Sequence, residues 1–391
     1  MAGVVSMKRK LLNILLPILY VASAVGLFLY SYTQVDLSLT LSRVSIYQFF
    51  EKSFQHIGYF DRPLSTALYL MLVVVFFFLY GFFLVAVRRK TISVRSFWWT
   101  VGILTAILIF SYPAFSYDMF NYMFTAKTVL LYHKNPYGVI PLQFTGVEPW
   151  LSFMHWTHLP SAYTPFWIFL TLPAYLLGFG YFLVIMWNIK ILVAACYIIT
   201  IIYIGKILGK LEPDRRLMGM AIFALNPLVI FETLVSGHND MVMMALVMIA
   251  YYLYLEKKRW ASFFALVLSV AAKLMTIFII PVFFVGWQRR LALWAMIIGF
   301  VLVASQREIL GWYVLWLVPF YALLPSLEWG TIVGTGLSLG LLLTYAPFLY
   351  FGNYDPPVQT IKFWAIVIPV ILSLVWIALR NLICPRNRPQ V

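Results

Sequence analysis

The sequence predicts an all-α protein, a polytopic transmembrane helical bundle of about 11–13 membrane segments with an outer-face loop carrying amphipathic helices. Two observations predict it. Of 391 residues 63% are hydrophobic and only 10% are charged, whereas a water-soluble domain has roughly a quarter of its residues charged. The apolar residues also fall in runs close to the ~20 residues that cross a hydrocarbon layer as a helix. Strands left open in lipid could not satisfy their backbone, so the runs are read as helices.

The first run, 11–32, follows Lys8, Arg9 and Lys10. It exceeds the roughly 7–15-residue apolar core of a cleaved signal and reads as a signal anchor. Runs at 64–87, 97–115, 181–207, 217–236, 240–256, 291–305, 312–325, 331–350 and 361–379 read as further helices. The run 164–178 is short and shares one net crossing with 181–207, which makes it re-entrant or interfacial. The run 261–286 has basic clusters at both ends and reads as a hairpin of two short helices with Lys273 near its tip. Cys196 in an apolar run and Cys384 in the basic tail imply neither a disulfide framework nor a zinc site. The chain reads as a single integral-membrane domain, 1–391.

The net charge of +15 resembles that of a nucleic-acid binder, but its distribution excludes that partner. Nineteen of the 28 Lys and Arg lie in six clusters: Lys8–Lys10, Arg88–Arg95, Lys206–Arg216, Lys257–Arg259, Arg289–Arg290 and Arg380–Arg388. Those clusters read as cytoplasmic. The alternating segments hold nine of the thirteen acids and all five histidines, His56, His133, His155, His158 and His238, so polar chemistry concentrates on the outer face.

Three constellations there could carry chemistry. In Ser116-Tyr117-Asp118-Met119-Phe120-Asn121-Tyr122, a helix would put Asp118, Asn121 and Tyr122 on one face. Asp118 is then a base, a metal ligand or simply an N-cap. Ser236-Gly237-His238-Asn239-Asp240 places three hydrogen-bonding side chains after a permissive glycine, either as a ligand-orienting cluster or as a capped turn. Gln306-Arg307-Glu308 precedes Gly311-Trp312-Tyr313-Val314-Leu315-Trp316, and Arg307 would clamp a phosphate or snorkel to headgroups. Glu232 and Lys273 are ionisable groups within apolar runs, functional by default or paired with each other. His155 and His158 have a spacing compatible with metal, although loop histidines are commonly just solvated.

The order of these motifs resembles that of the integral-membrane glycosyltransferases of the C superfamily. It is most similar to the alpha-1,6-mannosyltransferases of mycobacterial and corynebacterial lipomannan synthesis, which use polyprenyl-phosphate mannose. The resemblance rests on the Asp118 motif, Asn135-Pro136-Tyr137, Trp156, Pro160-Ser161-Ala162-Tyr163-Thr164-Pro165, Asn226-Pro227, Gly237-His238-Asn239-Asp240 and Trp312-Tyr313-Val314-Leu315-Trp316. Gly-His-Asn-Asp is the most specific of them. Departures are Lys127 where the family has a small residue, Asn135 for Asp, and Ala162 and Thr164 for Pro and Gly.

The resemblance implies N-terminal extra helices in 1–96, a catalytic module in 97–325, and C-terminal helices with a basic tail in 326–391. It implies that Asp118 is the general base, that Tyr117, Asn121, Tyr137, Tyr163, His238, Asn239, Asp240, Trp312 and Tyr313 bind substrate, and that Arg307, Lys273 and Lys127 face the donor phosphate. The implied partners are a polyprenyl-phosphate sugar donor and a glycan or glycolipid acceptor on the extracytoplasmic side of the cell membrane. No cofactor is certain. A divalent metal between Asp118 and Asp240 stays open, as do a transporter or flippase of lipid-linked sugars and a lipid-linked glycan polymerase or ligase.

Overall fold

A computed structural model describes residues 2–383, with side chains from residue 11 onward. The Lys8–Lys10 side chains, Cys384, Arg386 and Arg388 lie outside the described residues. Helices form the whole described architecture, with no strand among the described residues. In chain order they are α1 (Ala2–Ser31), α2 (Ser45–Tyr59), α3 (Arg62–Arg88), α4 (Val94–Leu108), α5 (Asp118–Leu130), α6 (Pro165–Leu176), α7 (Phe182–Leu211) and α8 (Arg216–Ala224). They continue as α9 (Pro227–Val235), α10 (Asp240–Leu255), α11 (Arg259–Ala272), α12 (Leu274–Phe284), α13 (Arg289–Ala304), α14 (Val318–Ala322), α15 (Glu328–Leu343), α16 (Tyr345–Phe351) and α17 (Val358–Ile383).

Five spans are long and apolar enough to cross a membrane: Leu11–Gln34, α3, α7, Glu328–Phe351 and α17. The bent pair α8–α9 makes a sixth if counted as one span. The other expected segments fold as shorter apolar helices, and local chemistry explains where they stop. The run 97–115 ends as a helix at Leu108, leaving 109–117 as a turn region around Pro113. The run 217–236 bends by 53° at Asn226-Pro227, where the Asn226 carboxamide accepts from the Leu228 and Val229 amides and restarts the helix. The run 261–286 divides at Lys273, whose backbone is extended (φ −161°). The run 312–325 becomes a tight 3-10 segment, Gly311–Trp316, followed by α14.

The caps follow sequence chemistry. The Asp61 side chain accepts from the Leu64 amide to start α3, and Ser93 does the same for α4. Thr164 caps α6 ahead of Pro165, and its hydroxyl donates to the Ala272 carbonyl, tying α6 to the end of α11. The centre is aromatic: Tyr69, Phe76, Phe115 and Phe231 are buried and pack ring on ring. Gly336 and Gly340 on α15 meet the α17 backbone, where an added Cβ would come within 2.8 Å of the Pro369 and Ala365 carbonyl oxygens. Such small residues let helix backbones approach closely in lipid.

Candidate functional site

Six pieces of chain converge on one polar cluster: the start of α5, the loop before α6, α9 with its turn into α10, the α11–α12 break, the 3-10 segment Gly311–Trp316, and the start of α16. The turn needs glycine at 237, which takes φ +76° and whose Cβ would stand 2.4 Å from the Met119 Cε. That turn delivers His238, which is fully buried, between two carboxylates. Its Nδ1 lies 3.5 Å from Asp118 Oδ2 and its Nε2 lies 3.2 Å from Glu232 Oε2. The Trp312 ring stacks on the imidazole at 4.1 Å. The Tyr345 hydroxyl donates to Glu232 Oε1 at 2.7 Å, and the Tyr163 hydroxyl donates to Asp118 Oδ1 at 3.1 Å. Gly311 leaves room for this arrangement, since a Cβ there would sit 2.5 Å from Glu232 Oε1.

A second ion pair adjoins the first. Lys273 Nζ lies 2.7 Å from Asp240 Oδ2 and 3.4 Å from Asn239 Oδ1. The Trp316 indole N–H donates to the other Asp240 oxygen, and Trp316 stacks on Tyr313 at 4.4 Å. Asp240 is fully buried, whereas the Lys273 side chain keeps 29% of its surface accessible. A buried carboxylate costs several kcal/mol unless paired, so the ammonium is bound to this place and yet faces outward.

The charges set the protonation states. Burial alone would lower the His238 pKa, but Asp118 and Glu232 outweigh it and raise the imidazole to about 9. Burial alone would raise Asp118, but contact with His238, the charge of Lys273 and the Tyr163 hydroxyl hold it below the usual carboxylate value. Near neutral pH the cluster therefore holds an ionised Asp118 beside a protonated His238.

Asp118 also opens onto a cleft of ≈ 270 Å3 between α5 and the loops at 136–141 and 156–163. Asn121 and Tyr163 line it with Asp118. Around its rim, the Tyr137 hydroxyl donates to the Tyr163 carbonyl at 2.6 Å, and the Tyr117 ring stacks on His155 at 3.7 Å. His155 is exposed although stacked on Tyr117, and His158 is exposed as well. Among the described residues no group of three or more His, Cys, Asp or Glu is arranged to hold a metal ion. Both Asp240 oxygens are bound to Lys273 and Trp316, and Asp118 is bound by Tyr163 and faces His238, so the two carboxylates do not fit as a ligand pair.

Of the two alternatives for Glu232 and Lys273, pairing with each other does not occur, because His238 and Asp240 claim them separately. Lys127 forms a buried ion pair with Glu148 at 2.7 Å and lies over the Trp150 ring, nine residues along α5 from Asp118 and so roughly 13 Å away by helical rise. That pair engages its charge within the fold. Arg307 is exposed and enters none of the ion pairs among the described residues; the adjacent Glu308 pairs with Lys362.

Two contributors were not singled out by sequence. Tyr345 lies in an apolar run with nothing to mark it. Lys190, within α7, is 1% exposed and donates to the Leu108 carbonyl at 2.9 Å. Its presence in an apolar run was the available signal.

Comparison with curated proteins and with solved structures finds no match. A family model described as alpha-(1->6)-mannopyranosyltransferase, N-terminal domain, matches residues 25–292, well over half of the chain and including Asp118, Glu232, His238, Asp240 and Lys273. The chain therefore belongs to the alpha-(1->6)-mannopyranosyltransferase family.

Proposed function

We propose that this membrane mannosyltransferase moves mannose from a polyprenyl-phosphate donor to a glycan or glycolipid acceptor, at the extracytoplasmic face of a multi-pass bundle in the cell membrane. The observation that carries the proposal is an ionised carboxylate, Asp118, at the mouth of a cleft, with a lysine that remains accessible nearby at Asp240.

Asp118 acts as general base. It takes the proton of the acceptor hydroxyl as that oxygen bonds to the anomeric carbon and the bond from that carbon to the phosphate oxygen breaks. Attack opposite the leaving group inverts a beta-linked donor to an alpha-linked product. The departing polyprenyl phosphate carries the electron pair, and Lys273 neutralises the charge that develops. Arg307, exposed and outside the ion pairs, is available to the same phosphate. His238 keeps Asp118 ionised and oriented, and Glu232 holds His238 in turn. Asn239, Trp312, Tyr313, Tyr117 and Tyr137 shape the surroundings of the sugar. With both Asp240 oxygens taken by Lys273 and Trp316, the transfer uses Asp118 as base and no metal bridging the two carboxylates.

The test is transfer of radiolabel from polyprenyl-phosphate mannose to extractable glycan in membranes carrying the wild type or Asp118→Asn. Label moved by the wild type alone supports donor class and base together. Equal transfer by both removes Asp118 from the chemistry.

A further inference from the structure

The lining of the cleft beside Asp118 has two unlike parts. Along α5, Asp118, Asn121, Thr125 and Thr128 all line it. Their spacing of three, four and three residues puts them on one helical face over roughly 15 Å. The rest of the lining is mostly apolar, with Trp156, Leu159, Pro160 and Pro136 beside Ser161 and Tyr163.

The polar strip is not used up by the fold. The Asn121 amide nitrogen donates to the Tyr117 carbonyl at 3.3 Å, which leaves the side-chain oxygen without a hydrogen-bond partner among the described residues. The Thr125 hydroxyl has only a long contact, 3.5 Å, to the Ser161 hydroxyl. The Thr128 hydroxyl donates to the Phe124 carbonyl, and Asp118 Oδ1 accepts from Tyr163.

The apolar part of the lining is held in place. The Ser161 amide donates to the Pro136 carbonyl at 3.0 Å, and the Leu142 amide donates to the Thr157 carbonyl at 3.1 Å. Trp156 takes φ +55°, uncommon for a bulky side chain, and its surface is 46% exposed. Strain at an exposed indole on a cleft wall marks a position kept for a contact rather than for packing.

A polar strip on α5 with an exposed indole among apolar residues elsewhere in the lining suits a pyranose, whose ring presents apolar C–H faces and a rim of hydroxyls. His238, Asp240 and Lys273 are not among the lining residues. We propose that this cleft is the acceptor subsite: it holds a mannoside chain along α5, with Trp156 under a ring face, and presents a terminal hydroxyl to Asp118. The proposal rests on the glycosyl-transfer reading above and adds the place of the acceptor.

The test is equilibrium binding of labelled alpha-1,6-linked mannotriose to the full-length protein in detergent, beside turnover of polyprenyl-phosphate mannose. Trp156→Ala should weaken mannotriose binding about tenfold or more, with Trp156→Tyr restoring much of it. Thr125→Val should weaken it about three- to tenfold, the effect of one hydrogen bond. Trp260→Ala, at an exposed indole that does not line the cleft, should leave it unchanged. Size-exclusion profiles matching the wild type establish that each variant is folded. Mannotriose binding that ignores Trp156 and Thr125 overturns the subsite, as does donor turnover without mannotriose binding. Binding that is sensitive to Trp156, with no turnover of the donor, supports the subsite and overturns the donor assignment instead.

Discussion

Lys190 donates to both the carbonyl oxygen and the hydroxyl of Ser111, at 2.5 and 2.7 Å, from within the apolar helix α7. With the bond to Leu108, the ammonium caps the C-terminal end of α4, where the helix dipole is negative, and fixes the turn that leads to Asp118. Lys190→Met should therefore destabilise the protein by about 1–3 kcal/mol, because its hydrogen bonds are lost and buried carbonyls are left unpaired. Thermal unfolding in detergent checks this, and an unchanged midpoint would show that the ammonium does not hold the turn.

Asp118→Asn should lower kcat by about 10²–10⁴, the usual contribution of a positioned base. The amide keeps the size of the carboxylate and can still accept from Tyr163, so the fold is kept, with the unfolding midpoint lowered by the loss of one of the two charges facing His238. Single-turnover transfer of labelled mannose measures the chemical step directly, and a loss below tenfold would move the base elsewhere.

The raised His238 pKa gives stability a defined pH dependence. The folded value, about 9, exceeds the ordinary 6.5, so the folded state binds the proton more tightly. This contribution is complete below about pH 6.5 and is lost as pH rises through about 9. The unfolding midpoint should decline over that window in the wild type and decline less in His238→Gln. Parallel curves for the two proteins would locate the titrating group elsewhere.

Lys273→Ala removes the partner of a fully buried carboxylate, so it should cost about 3–5 kcal/mol of stability. Adding Asp240→Asn should recover most of that stability, because the buried charge goes with it. Turnover should not recover, since no ammonium is left for the departing phosphate. A double-mutant cycle read in both stability and kcat separates the two roles, and joint recovery of both would reduce Lys273 to a structural partner.

Much of the fold was legible because hydropathy reports lipid contact directly. The 64–87, 181–207 and 361–379 runs correspond closely to α3, α7 and α17. Lengths were less legible in the interior, where Asn226-Pro227 and Lys273 break runs whose composition alone looks continuous. The positions of Asp118 and His238 stood out because lipid does not choose carboxylate and imidazole. The pairings did not: which acid meets which base depends on contacts across the bundle. Pairing of Glu232 with Lys273 stayed open, and Lys127 looked free because Glu148 lies 21 residues away. Tyr345 was silent, since a tyrosine in an apolar run reads as an interfacial anchor until Glu232 is seen against it.

The polar cluster is assembled from distant parts of the chain. Glu232 is hydrogen-bonded to Tyr345, 113 residues later, and Asp240 to Trp316, 76 residues later. A chain made from its N-terminus thus brings both carboxylates into an apolar setting before either of these donors exists. His238 and Lys273 arrive sooner and are the only two of the described partners that can shield those acids in the interval. The order of synthesis therefore makes the two ion pairs available before Trp316 and Tyr345, and α16 is the last element to contribute to the site.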